Sequence, residues 1–132
     1  RFSESEACRH SGMFGLRLEY AMSDEQSGGW GVIWTDTSKG FFDASEFSTL
    51  VFWVKGTTGG ETFQIGLKDV SGREVKIASE TKAIISASDW RQVSIPLSEF
   101  TDVNAASLEN VNLGFNRDHG SGTICIDDIA FE

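Results

Sequence analysis

Short stretches in which apolar and polar residues alternate run along the whole chain, and a period of two is typical of β-strands with one buried face. The clearest lie at Leu16–Tyr20, Thr49–Lys55, Phe63–Lys68 and Val111–Asn116. Fourteen glycines against one proline in 132 residues favour many turns between short strands. The sequence therefore predicts a single all-β domain over residues 1–132, folded as an antiparallel jelly-roll β-sandwich of two sheets.

Further strands are predicted at Phe2–Arg9, Trp30–Asp36, Val75–Ile77 and Trp90–Leu97, with a tight hairpin turn at Val70–Arg73. On the strand that starts at Trp30 both faces carry apolar residues, so the alternation does not decide which face is buried. With the last stretch of the chain, the count is about nine strands.

In the last stretch, Ile124–Phe131, the alternation holds as far as Asp127 and then shifts by one position. A shift of one residue within a strand indicates a β-bulge. It places the carboxylates of Asp127 and Asp128 together at a kink, which is unfavourable unless a positive group lies beside them.

The charge balance limits the partners that the chain can bind. Lys and Arg total 11 against 20 Asp and Glu, giving a net charge of −9. This excludes nucleic acid as the expected partner, because a phosphate backbone requires a basic surface. No apolar run approaches the roughly 18 residues of a membrane span, so we expect no membrane partner. The balance is compatible with a neutral ligand or a divalent cation.

The two cysteines, Cys8 and Cys125, lie near opposite ends of the sequence. They are either two unrelated buried thiols or a disulfide between the terminal strands of a secreted protein. If the first and last strands pair antiparallel with these cysteines opposite each other, Glu6 lies opposite Asp127. Two like charges in such a position destabilise a sheet unless a cation lies between them.

Several segments occur in an order that resembles a known family. They are His10–Gly12 before Leu16–Tyr20, then Gly28–Trp30, Leu50–Gly56, Trp90–Ser98 and Gly122–Ile129. The set resembles the galactose-binding-like jelly-roll carbohydrate-binding modules attached to bacterial cellulases, xylanases and other β-glucanases. The resemblance implies a non-catalytic module with a structural calcium ion near the chain ends and a groove for a β-glycan on one sheet.

The resemblance also implies ligands for the calcium ion. The family uses an aspartate of the last strand and an acidic residue of the first strand, which correspond here to Asp127 and to Glu4 or Glu6. Ser3 follows Phe2 where the family has a Phe–Glu pair, so the choice between the two glutamates stays open. The alternative is a solvated acidic edge that discourages strand addition.

A sugar ring requires a flat aromatic surface and planar hydrogen-bonding groups. Trp30 and Trp34 are the expected platform, although either can equally belong to the core. Trp53 points outward by the alternation and is a second candidate, which a loop can equally cover. Polar residues at outward strand positions are expected to bind hydroxyl groups, with an arginine at the rim; the alternative is plain surface. These residues are Gln64, Lys68, Lys76, Asn112, Asn116 and Arg117.

Catalysis is not expected, because glycoside hydrolysis needs two carboxyl groups about 5–10 Å apart and no such string of acidic residues occurs on a strand. We expect a secreted, monomeric module that carries an appended catalytic domain to cellulose, mixed-linkage glucan or xyloglucan. The chain starts at Arg1 without a signal peptide, as an excised module does. The alternatives are a structural or protein-interaction sandwich and, third, a small polysaccharide hydrolase or lyase.

Overall fold

The computed structural model describes residues 1–13, 15–22, 27–33 and 39–132. Nine strands lie within these residues: β1 Phe2–Ser5, β2 Gly15–Ala21, β3 Ser27–Ile33, β4 Thr49–Gly56, β5 Gln64–Asp69, β6 Glu74–Ala78, β7 Arg91–Pro96, β8 Leu108–Asn116 and β9 Ser121–Phe131. Short 3-10 turns occupy Ser79–Thr81, Leu97–Glu99, Ala105–Ser107 and Arg117–His119. Within the described ranges no helix has the length and apolar character needed to cross a bilayer.

The strands form two antiparallel sheets. Sheet A has the order β1-β2-β9-β4-β7, and sheet B has the order β3-β8-β5-β6. Every strand pairing in both sheets is antiparallel. The all-β sandwich predicted from the alternation is therefore confirmed.

The core lies between the two sheets and consists of the apolar residues of their facing sides. Sheet A contributes Leu18, Phe52, Val54, Ile95 and Ile124, and sheet B contributes Ile65, Leu67, Val111, Leu113 and Phe115, all of them buried. Burying apolar side chains is the main favourable term in folding. Because the side chains of a strand alternate, the intervening residues lie on the two outer faces.

The first strand differs from the prediction. It ends at Ser5 instead of Arg9, and it pairs with β2 at the edge of sheet A, not with β9. Strand β2 occupies the place beside β9, where Leu16 and Leu18 lie opposite Ile126 and Ile124. This pairing places four apolar residues on the inner face, whereas β1 is largely exposed. Glu6 therefore does not lie opposite Asp127 in a strand pair.

The Cys8–Cys125 disulfide is present, although it does not join paired strands. The turn after β1 crosses the outer face of sheet A, and Cys8 is buried there against β9. Gly15 allows this path, because a Cβ at that position would overlap the carbonyl oxygen of Cys8. The bond holds the N-terminal turn on the sheet.

The β-bulge predicted in the last strand is also present. Val51 pairs with Ala130 and Trp53 with Asp127, so two residues of β9 lie opposite one residue of β4. Asp128 has a φ of 54°, in the left-handed region where aspartate is among the tolerated non-glycine residues.

Replacing both cysteines by alanine removes a bond between residues 117 positions apart. We expect the free energy of unfolding in urea to fall by about 2–5 kcal/mol, because the unfolded chain regains the freedom that the bond removes. Reduction should destabilise the native protein to a similar extent and leave the double variant unchanged. A double variant as stable as the native protein would contradict this role.

Candidate binding groove and the N-terminal latch

An open groove of about 500 Å³ lies on the outer face of sheet B. Six of the predicted sugar-binding residues line it: Trp30, discussed below, and five polar residues, Gln64, Lys68, Lys76, Asn112 and Asn116. The five polar residues come from β5, β6 and β8, three neighbouring strands on which each occupies an outward position. The alternation of these strands thus brings together residues that are up to 52 positions apart in the sequence.

Three glycines of the groove, Gly29, Gly31 and Gly114, form what we call the glycine floor. Gly29 and Gly31 are exposed, whereas Gly114 is buried beside the side chains of Gln64 and Lys76. Gly29 pairs with Gly114, and Gly31 pairs with Asn112. A Cβ at Gly29 would lie 2.6 Å from the carbonyl oxygen of Leu113, and one at Gly31 would lie 2.9 Å from that of Val111. Side chains at these two positions would force the strands to shift, so the backbone itself faces the ligand space.

The polar side chains along the groove contact one another. The Asn112 amide donates to Glu74 Oε2 at 3.0 Å and to Asn110 Oδ1 at 2.8 Å. Lys76 Nζ lies 3.8 Å from Glu74 Oε1. These contacts fix side chains that would otherwise be mobile, which lowers the entropy lost when a ligand binds.

Glu74 and Asn110 line the groove but were missed from the sequence. The alternation of β6 places Glu74 on the same face as Lys76, and that of β8 places Asn110 on the same face as Asn112. The alternation of the two strands was therefore sufficient to predict that both residues lie on the groove face.

At one end of the groove, Asn116 caps the turn that follows β8. Its Oδ1 accepts a hydrogen bond from the Asp118 N–H at 2.9 Å, and its own N–H donates to His119 Nδ1 at 2.8 Å. Arg117 is exposed in this turn and does not line the groove.

The structure gives the positions of two of the three tryptophans for which the sequence left alternatives open. The residues on either side of Trp30, Gly29 and Gly31, face outward, so its half-buried side chain packs against the core from the edge strand β3. Trp53 lies on sheet A, where the His10 ring stacks on it with centroids 4.1 Å apart. Trp34 lies outside the described residues.

The carboxylates of the β-bulge are held by the turn after β1, which we call the N-terminal latch (residues 8–12). Asp127 Oδ2 accepts the backbone N–H groups of His10 at 2.7 Å and Ser11 at 3.1 Å. Asp128 accepts the His10 ring N–H at 2.8 Å and the Ser11 hydroxyl at 2.7 Å. Hydrogen-bond donors, not a charged side chain alone, thus compensate the two adjacent carboxylates.

The expected calcium ligands do not form a shell in this arrangement. Glu4 and Asp127 border one shallow depression, whereas Glu6 is not among its residues. N–H groups face Asp127 Oδ2, whereas calcium requires six to eight oxygen ligands. Among the described residues no three acidic, histidine or cysteine side chains form a metal-binding group. The calcium ion stays a prediction, which thermal unfolding in calcium and in excess chelator tests.

The sandwich and its polar groove define a jelly-roll carbohydrate-binding module, the class that the sequence resembles. The model of the family named carbohydrate binding domain 30 matches residues 7–132, so the chain belongs to this family. No curated protein matches the chain.

Solved structures of similar fold include the family 30 carbohydrate-binding module of the cellulosomal cellulase Cel9D-Cel44B of Clostridium thermocellum. It is 22% identical, with a TM-score of 0.76 over 99% of this chain and 81% of that one. The family 11 module of the same organism, in complex with a β-1,3-1,4-mixed-linked tetrasaccharide, is 16% identical, with a TM-score of 0.72 over 99% and 81%. A β-1,2-glucanase from Parabacteroides distasonis is 19% identical, with a TM-score of 0.75 over 97% of this chain but 20% of its own.

Replacing Asp128 by alanine removes the acceptor of the His10 ring and of the Ser11 hydroxyl. We expect the free energy of unfolding at pH 7 to fall by about 1–3 kcal/mol, because two hydrogen bonds worth roughly 0.5–1.5 kcal/mol each are lost. The His10 and Ser11 hydrogen bonds lower the pKa of the Asp128 carboxyl in the folded protein. Its contribution is therefore present above the unfolded pKa, about 3.9, and is lost as the pH falls through the folded value.

Urea unfolding at pH 7 and at pH 3 measures this difference, with the exposed Glu46→Ala as a matched control. The native protein and Asp128→Ala should differ more at pH 7 than at pH 3. The difference that remains in acid is the cost of alanine in the left-handed conformation of this position. A difference that is the same at both pH values would contradict the role of the ionised carboxylate.

Proposed function

We propose that the groove on sheet B binds β-1,4-linked or mixed-linkage glucan and so holds an appended catalytic domain on plant cell-wall polysaccharide. The observation that carries this proposal is the glycine floor bordered by fixed polar side chains. A bare floor lets a flat sugar chain approach the backbone, and amide and ammonium groups at its border suit hydroxyl groups. Cellulose chains, mixed-linkage glucan and xyloglucan are the ligands to compare.

The charges in the groove favour a neutral ligand. Lys68 and Lys76 bring two positive charges, but Glu109 lies 3.7 Å from Lys68 and Glu74 lies 3.8 Å from Lys76. Each ammonium therefore has a carboxylate beside it. An anionic polysaccharide would have to compete with these carboxylates, whereas the hydroxyl groups of a neutral glucan can bind both partners.

Two similar structures support the choice of polysaccharide. One is described as a module of a cellulosomal cellulase, and the other holds a mixed-linked tetrasaccharide. Both have the same fold as this chain, but at 22% and 16% identity we do not assign their binding residues to positions of this chain. The disulfide fits secretion, because such bonds persist in oxidising compartments. We further propose that the module acts as a non-catalytic monomer.

In this proposal the polar side chains and the glycine floor bind the glucan, and the tryptophans contribute less than the expected aromatic platform would. Trp30 supports the glycine floor from the core side and is one of the residues at the border of the groove. Stacking of a sugar on Trp34 stays a prediction. Trp53 is covered by His10 on the other sheet, so we assign the glucan to sheet B.

Gly114→Val tests the groove directly. A Cβ at Gly114 would meet nothing closer than 3.9 Å, where Gln64 and Lys76 Nζ lie, so the variant should fold. Its side chain would fill the floor that the glucan requires. We expect the native protein to be retarded in gels that contain soluble mixed-linkage glucan or hydroxyethylcellulose, and the variant to migrate freely.

The matched control is Ser94→Val, which introduces the same side chain at an exposed strand position of sheet A. It should be retarded like the native protein. If the native protein migrates freely on every glucan, a structural or protein-interaction role replaces this proposal. Release of reducing sugar from a glucan would instead indicate a hydrolase.

A further inference from the structure

The carboxylate of Glu74 contacts two of the residues that border the groove. Its Oε2 accepts the hydrogen bond from Asn112 Nδ2 at 3.0 Å, and its Oε1 lies 3.8 Å from Lys76 Nζ. One side chain thus links an amide on β8 with an ammonium on its own strand, β6. The two contacts use different oxygen atoms, so both can be present at once.

The contacts of Asn112 fix the orientation of its amide. A carboxylate without a proton only accepts hydrogen bonds, so the amide nitrogen must be the atom that faces Glu74. The other hydrogen of that nitrogen is donated to Asn110 Oδ1 at 2.8 Å. Both amide hydrogens are therefore used, and Oδ1 is left as an acceptor. The amide lies over Gly66, where a Cβ would overlap Oδ1.

Lys76 supplies a donor on the same outer face of sheet B as this acceptor. Its Nζ lies 3.9 Å from the position that a Cβ of Gly114 would take on the glycine floor. Gly66 pairs with Asn112 on one side and with Lys76 on the other, so the three residues form one row across the sheet. Adjacent strands are about 4.8 Å apart, which places the backbones of Asn112 and Lys76 roughly 10 Å apart.

We propose that Glu74 is a positioning residue that holds Asn112 Oδ1 as an acceptor and Lys76 Nζ as a donor for two adjacent hydroxyl groups of one sugar unit. This inference rests on the proposed function and names the linkage that the groove selects. In a β-1,4-linked glucose unit the 2- and 3-hydroxyl groups are free and adjacent. In a β-1,3-linked chain, every unit except the one at the non-reducing end uses its O3 in the glycosidic bond. The groove therefore selects β-1,4-linked segments.

Isothermal titration with cellohexaose and laminarihexaose tests this selection. The native protein should bind cellohexaose at least about tenfold more tightly, the effect of one hydrogen bond to a charged group. Glu74→Ala should weaken binding of cellohexaose by roughly tenfold, with little change for laminarihexaose, because the amide and the ammonium lose their common partner. Glu74→Gln keeps an acceptor for Asn112 and should retain more of the selectivity than Glu74→Ala.

Glu109→Ala is the matched control, because Glu109 also lies beside a groove lysine, Lys68, at 3.7 Å. Its ratio of the two affinities should equal that of the native protein. Equal affinity of the native protein for the two hexaoses, or the same ratio in Glu74→Ala as in Glu109→Ala, overturns the inference and leaves the proposed function standing. If neither hexaose nor any polymeric glucan binds, the proposed function fails and this inference with it.

Discussion

The register of strand β8 sets the positions of the groove residues on three strands, because β8 pairs with β3 on one side and with β5 on the other. It places Gly114 opposite Gly29 and Asn112 opposite Gly31. A shift of one residue would turn Leu113 and Phe115 outward and bury the amides. The buried side chains of β8 therefore determine which residues lie on the outer face, since the register that packs Leu113 and Phe115 into the core also turns Asn112 and Gly114 outward.

The two outer faces of the sandwich differ in how they are covered. On sheet A the N-terminal latch lies across the strands, fixed by the disulfide and by the carboxylates of the β-bulge. The His10 ring covers Trp53 and contacts the edge of Trp90, which removes two aromatic rings from open solvent. Sheet B has a polar groove on its outer face instead. The N-terminal latch thus covers the outer face of sheet A, whereas the outer face of sheet B is open to a ligand.

The sequence was sufficient to predict the features that depend on local alternation. Gln64, Lys68, Lys76 and Asn112 were expected to face outward, and they line one groove. The β-bulge followed from a single shift of the apolar pattern beyond Asp127. These predictions succeed because successive side chains of a strand point to opposite faces of the sheet. The face of a residue therefore follows from its position in the strand, without knowledge of the neighbouring strands.

Features that depend on strand order were predicted less well. The sequence left open whether the two cysteines form a disulfide, and it placed such a bond between paired terminal strands, whereas β2 lies between β1 and β9. The sequence left Trp30 open between the core and the outer face, because both faces of its strand carry apolar residues and only its packing against the core decides the outcome. The link from Glu74 to Asn112 crosses from β6 over β5 to β8, a path that no sequence spacing reveals.

The most direct measurement is a titration of the isotopically labelled protein with cellohexaose, followed through its backbone amide NMR signals. The account predicts that the amide signals of Gly29, Gly31 and Gly114 shift with ligand, while those of His10 and Trp53 on the opposite face stay in place. Shifts that cluster around the N-terminal latch, with the glycine signals unchanged, would show that the sugar binds elsewhere and would contradict the account.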